Sequence, residues 1–477
     1  MYFLIRKEFY DNTICEENIL PVERVKRVEG TTEETKMHAK WNKHENIRFT
    51  KQAHGRYQGH LEVFNVIYCI LLLGVIMGLE VWGLWREMKD GWENSIRLKS
   101  HSAVIPTCSD ILGVIILAII AVLGSPFRWK HGQIVLNKLA EIDETLGIVE
   151  PKKTRRYTIV LFGCAFTYLF IITSLDMCWW DHYSKANKKM SDKGPFNYTP
   201  LYIMYMIIII LEIQYSLITY NVCQRFVRLN KCLEGILKTG KVTDHFRKDL
   251  GLAGDIKTRE QPASYIRISK ALEWYPVGFE TKNFANYIAQ LVTVHSSLCD
   301  TVSSINNAFG LVMVVITLTC LLHLIITPYF LIDEVNGNRQ WLSIIDQTLW
   351  CILHVTRMLI IIQPTYSTTI QAQKTAVLVS QLLSSNPDVE CRKHLEVFSL
   401  QILHRPLDFT ACGLFSLDRS LVTSIAGAVT TYLVILIQFQ KEDTTKDDVD
   451  NILKNATQIL KNASSLHNFT TIKHNNT

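Results

Sequence analysis

No catalytic signature occurs in the 477 residues: there is no glycine-rich phosphate loop, HExxH, CxxC or GxSxG. The motifs therefore offer no catalytic residue, no cofactor and no enzyme class. The 12 cysteines lack metal-ligand spacing, and none falls in a segment read below as external. They are read as reduced packing residues, with no outer disulfide and no metal site. The N-terminus, Met1 to Ile5 followed by Arg6 and Lys7, is too short an apolar stretch for a cleaved signal peptide. The first true span must then direct insertion. Charge is also scarce, at 20% against 48% hydrophobic residues.

The apolar residues are blocked into seven runs, at about 61–85, 103–125, 157–180, 200–223, 307–332, 342–364 and 420–440. Each is long enough to cross about 30 Å of hydrocarbon as a helix. The fold class expected is an all-α membrane protein with seven transmembrane helices. With the N-terminus inside, the internal segments hold 35 Lys+Arg, the external ones 14, and Arg357 lies within a span. That bias satisfies the positive-inside rule. The net charge of +6 is thus a topology signal, not a nucleic-acid footprint. Glycosylation sequons at Asn197, Asn455, Asn462, Asn468 and Asn475 all fall in segments placed outside. N inside and C outside is the reverse of G-protein-coupled receptors, whose DRY and NPxxY motifs are also absent.

The expected organisation follows. Residues 1–58 are a polar, aperiodic cytosolic tail, and 59–223 carry spans one to four, with a short cation-rich cytosolic loop at 126–156. Residues 224–306 form cytosolic helices around a flexible Gly/Pro-containing insertion at 240–281, and 307–364 hold spans five and six. Residues 365–419 are cytosolic helices at about 367–385 and 391–416. Residues 420–440 are span seven, and 441–477 are an extracellular, glycosylated tail. Val222, Phe226, Leu229, Leu233 and Ile236 make one apolar stripe. Phe284, Ile288, Leu291, His295, Leu298, Val302 and Ile305 make another, at 4-3 spacing. Such stripes need partner helices, either within a peripheral scaffold or across a subunit seam that would include Leu291 and Leu298.

Polar residues inside spans are costly in lipid and face protein or water. Glu212 and Arg357 lie roughly 18–23 Å from the outer ends of spans four and six. They could pair structurally, or act in transport as the coupling pair of a multispan secondary transporter. No internal repeat of the transporter kind is visible. In the outer halves of three spans, Asp176 and Trp179 share a helix face, as do Gln347 and Trp350 with Asp346 beside them; His323, Thr327, Tyr329 and Asp333 line the fifth. Aromatic planes beside amide and carboxylate groups suit a sugar, which offers an apolar C–H face and a rim of hydroxyls. An interfacial aromatic belt has the same composition.

The last span ends Thr431-Tyr432-Leu433-Val434-Ile435-Leu436-Ile437-Gln438-Phe439-Gln440. This resembles the complete TYhhhhhQF signature (h hydrophobic) of insect gustatory receptors. Phe409 to Asp418 is similar to that family's lead-in to its last span. The resemblance implies a tastant-gated, non-selective cation channel. It implies a homotetramer, alone or with other gustatory receptor subunits, embedded in the lipid of the plasma membrane. The inner ends of spans four to seven would be a shared cytosolic anchor bundle, and Gln438 and Phe439 the pore constriction. The set Asp176/Trp179, Thr327/Tyr329 and Gln347/Trp350 looks like the pocket of the fructose-sensing subfamily. The expected ligand-binding residues are thus Asp176, Trp179, Thr327, Tyr329, Asp346, Gln347 and Trp350. Members tuned to bitter compounds share the terminal motif, so a bitter ligand is the alternative.

Overall fold

The computed structural model describes residues 47–51, 57–61, 63–89, 101–147, 151–186, 198–249, 281–336, 341–385, 387–438, 454 and 457–458. The five sequon asparagines, Phe439, the start of the tail after it and most of the Gly/Pro-containing insertion lie outside them. Among the described residues, seven helices are long and apolar enough to cross a membrane. They are α1 (Val63–Lys89), α2 (His101–Leu123), α4 (Pro151–Ala186), α5 (Thr199–Asp249), α6 (Thr281–Asn336), α7 (Trp341–Ser384) and α9 (Arg419–Gln438). Two further helices, α3 (Ser125–Leu146) and α8 (Val389–His404), complete the set. Two short antiparallel pairs join them: β1 (Ile47–Lys51) with β2 (Tyr57–Leu61), and β3 (Thr410–Ala411) with β4 (Phe415–Ser416).

α5, α6 and α7 contain 51, 56 and 44 residues. At about 1.5 Å per residue they run well beyond a hydrocarbon core of about 30 Å. Beyond their apolar parts the three continue as a second bundle, packed with α3 and α8. α5 is the central post: 72% of its apolar window is buried, against 17% for α1 and 6% for α9. Its stripe continues unbroken from Met204 and Ile208 in the span to Phe226, Leu229 and Leu233 in the second bundle, all fully buried.

The α6 stripe finds its partners within the same chain. Ile288, Leu291, Leu298, Val302 and Ile305 join the core that holds Phe226 and Leu229 of α5 and Leu395 and Phe398 of α8. Leu291 and Leu298 have no exposed surface, so they do not lie on a seam between subunits. Polar contacts fix the same layer. Asn230 donates to the Gln371 carbonyl at 2.8 Å and accepts from Thr375 at 2.7 Å.

Four sequence expectations shift. Residues 126–156 are not simply a loop, because Val135, Leu139, Ile142 and Leu146 of α3 form a buried stripe that the flanking cations disguise. The α2–α3 corner is tight. Arg128 folds back on the Ile120 and Ala121 carbonyls and satisfies the end of α2. A Cβ on Gly124 would stand 2.7 Å from the Ile120 carbonyl, so only glycine fits there. The helix expected over 391–416 stops at His404, since Pro406 cannot continue it. The chain turns instead through the β3–β4 hairpin, with Cys412 and Gly413 at positive φ (51° and 71°). α5 runs past Gly240 to Asp249, because one helical glycine weakens a helix by about 1 kcal/mol without ending it. Strands β1 and β2 occupy 47–51 and 57–61, in and beside the segment read as an aperiodic tail.

Candidate functional site

The site lies where α4 ends, α5 and α7 begin and α6 approaches its end. Asp176 is one turn before Trp180 on α4, so the indole Nε1–H donates to its Oδ1. Tyr202, in the first turn of α5, donates its hydroxyl to Oδ2. Both oxygens of Asp176 thus hold the aromatic wall in place. Trp179, Trp180, Tyr198 and Tyr202 are 3–8% exposed and form one buried cluster, with half-buried Trp350 packed against it.

From α7 a single face enters this region. Asp346, Trp350, His354 and Arg357 succeed one another at i+4, i+4 and i+3, so all four point the same way. Trp350 stacks on Tyr202 (6.4 Å between ring centroids) and lies 5.1 Å from Tyr205 and 6.0 Å from His354. Below it His354 stacks on His323 of α6 at 4.5 Å. His323 Nε2 lies 2.8 Å from Asp110 of α2. Deeper still, Arg357 donates to Glu212 from Nη2 at 2.7 Å and from Nε at 3.0 and 3.2 Å. An aromatic and polar column therefore descends from the helix ends to an ion pair in the middle of the bundle.

Asp346 is 2% exposed, within electrostatic reach of Asp176, and its Oδ1 has no hydrogen-bond partner. Gln347, the next residue, is half-buried to one side. Thr327 and Tyr329 are both buried on α6. Thr327 lies one turn from His323 and shares its face. Tyr329, two residues further on, points about 200° away, and its ring packs 5.6 Å from Phe330. Of the seven sequence-chosen residues, Asp176, Trp179 and Trp350 meet in this cluster, with Asp346 within electrostatic reach of Asp176. Sequence reasoning missed Trp180, Tyr198, Tyr202, Tyr205 and His354 as site residues. The tyrosines recur at i, i+4 and i+7, a stripe that could have found them.

α9 stands apart from this site. Ile425 and its neighbours pack against Leu324, Met358 and Ile362, while Tyr432, Val434 and Ile435 near its end are 39–53% exposed. Gln438 is exposed. The glycosylation candidates Asn197, Asn455, Asn462 and Asn468 are not among the described residues.

Residues 47–443 match the family described as 7tm chemosensory receptor. The gustatory receptor for sugar taste 43a of Drosophila melanogaster is 27% identical over 402 residues, covering 82% of this chain and 93% of that protein. Putative gustatory receptor 28b of the same fly is 25% identical over 50% of this chain and 49% of that protein. Among solved structures, the insect olfactory receptor OR5 from Machilis hrabei superposes with a TM-score of 0.50 at 14% identity, covering 85% of this chain and all of that one. That likeness is one of fold. With most of its length matched to one family model and its relatives among fly gustatory receptors, the chain belongs to the 7tm chemosensory receptor family: it is a multi-pass receptor of the plasma membrane, not an enzyme.

Proposed function

We propose that the chain is a tastant-gated, non-selective cation channel that responds to a sugar of the fructose type. One observation carries the ligand reading: the Trp179–Trp180–Tyr198–Tyr202–Trp350 cluster, closed by Asp176 and flanked by Asp346 and Gln347. Ring faces stack on the C–H surface of a sugar, while carboxylate and amide oxygens take its hydroxyls. The 27% identical relative named for sugar taste supports the same ligand class.

The channel part rests on α9. It is the least enclosed span, and it carries the TYhhhhhQF end with Gln438 and Phe439. Four such helices around an axis would bury the surfaces now exposed, and four Phe439 rings would make an apolar neck that blocks ions by dewetting. With the N-terminus inside, that neck is external, and the second bundle is the cytosolic anchor of a homotetramer. Family membership argues against the transporter alternative. The test is whole-cell current from a naive cell expressing only this chain, under fructose, other sugars and bitter compounds. Fast saturable current with fructose is expected. Current only with bitter compounds would assign the other ligand class, and silence under all would remove the homomeric channel reading.

A further inference from the structure

The two carboxylates of the site are in different states. Asp176 has both oxygens engaged, by Trp180 and Tyr202. Asp346, more deeply buried and within electrostatic reach of it, leaves Oδ1 without a partner. An unsatisfied buried carboxylate is expensive, and a second one nearby raises the cost unless positive charge joins them. Arg357, three turns further along α7, has its Nε and Nη2 committed to Glu212. One turn from Asp346 on its own face stands Trp350, backed by Tyr202 and Tyr205. A buried carboxyl group beside aromatic faces suits an organic ammonium: the carboxylate supplies the countercharge once the cation is bound, and the rings attract the cation and shelter its alkyl groups. A small hydrated metal ion prefers a shell of oxygens, which this wall does not provide.

We propose that Asp346 and Trp350 form a subsite for a small alkylammonium group, so that the receptor binds amine-bearing ligands at the same end of the bundle where the sugar reading places its ligand. The inference does not rest on that reading. Asp346 makes the charge contact with the ligand; Asp176 is a positioning residue that fixes the ring wall.

The test is equilibrium binding of tritiated choline to the purified full-length chain in nanodiscs, with unlabelled tetramethylammonium as competitor. Saturable, displaceable binding is expected, weakened at least about tenfold by Asp346→Asn, an isosteric change that removes the charge. Trp350→Ala, which leaves the carboxylate in place, should weaken binding several-fold and covers the case in which Asp346→Asn fails to fold. Absence of saturable binding to folded wild-type protein, or equal affinity in a folded Asp346→Asn, overturns the proposal. Failure of the sugar reading shows separately, as cells that stay silent under fructose although the purified chain binds choline.

Discussion

Arg357 and Glu212 meet in the interior with side chains 1% and 0% exposed, joined by three hydrogen bonds between α7 and α5. The residues come from segments 145 positions apart, yet both sit deep in their spans, roughly 18–23 Å from the outer ends. Paired charges at that depth hold two spans in one axial register, because sliding either helix by a turn would strand a charge.

Removing one partner should therefore cost far more than removing both. Glu212→Gln leaves a buried guanidinium uncompensated and should destabilise the folded chain by about 3–5 kcal/mol. The double change Glu212→Leu with Arg357→Met should regain most of that loss. Thermal unfolding of the wild type and the two purified variants checks it, and a double variant no better than the single one would sink the account.

Trp350 touches the aromatic wall and the histidine column together. Trp350→Ala should raise the half-maximal fructose concentration several-fold, the equivalent of about 1 kcal/mol of lost stacking. Trp180→Phe removes the donor to Asp176 but keeps a ring, and should produce a smaller shift. Superimposable dose–response curves at equal surface expression would leave these rings as an interfacial belt.

The start of α9 is clamped to α7. Thr365 donates to the Leu417 carbonyl at 2.6 Å, and Arg419 lies over the Tyr366 ring at 3.9 Å. Asp418 accepts from the Ser420 hydroxyl and from the Ser420 and Leu421 amides. The Ser420 hydroxyl, then these backbone donors, holds the Asp418 carboxyl below its usual range. A depressed folded value means the contribution is present above the unfolded carboxylate pKa of about 4 and is lost as pH falls through the folded value. Amide exchange protection of Ser420 and Leu421 should therefore drop below about pH 4. Asp418→Ala should remove that protection at neutral pH, and protection that ignores both changes would refute the cap.

Leu291 is wholly enclosed by its own chain. Leu291→Asp should thus unfold the second bundle, at a cost of several kcal/mol for an unpaired buried charge. The expected result by size-exclusion chromatography is aggregated or lost protein. A well-folded monomer would instead return this leucine to an intersubunit seam.

The gate proposal makes the sharpest electrical prediction. Phe439→Ala should wet the neck and give current without agonist, and Gln438→Ala should alter gating or cation preference. If both variants are silent at rest and respond like wild type, the constriction lies elsewhere.

Seven spans, the continuation of α5, α6 and α7 beyond the membrane, and the family were all legible in the chain. Each is written in local order, as apolar run length, 4-3 periodicity and the TYhhhhhQF end. The sequence also supplied part of the candidate site, since Asp176, Trp179, Asp346 and Trp350 stand at helical spacings that declare shared faces. It could not say what those faces meet. The stripe through Leu291 and Leu298 reads identically whether its partner is another subunit or the same chain; only packing assigned it to Phe226 and Phe398. The α3 helix was hidden because a buried stripe within a cation-rich segment has too weak a local signal to stand out. The unequal state of Asp176 and Asp346 belongs to tertiary structure alone. It depends on Tyr202 arriving from a different helix to occupy an oxygen of one carboxylate, while an oxygen of the other is left without a partner. Hydrogen-bond satisfaction is a property of three-dimensional neighbours, and no spacing along the chain encodes it.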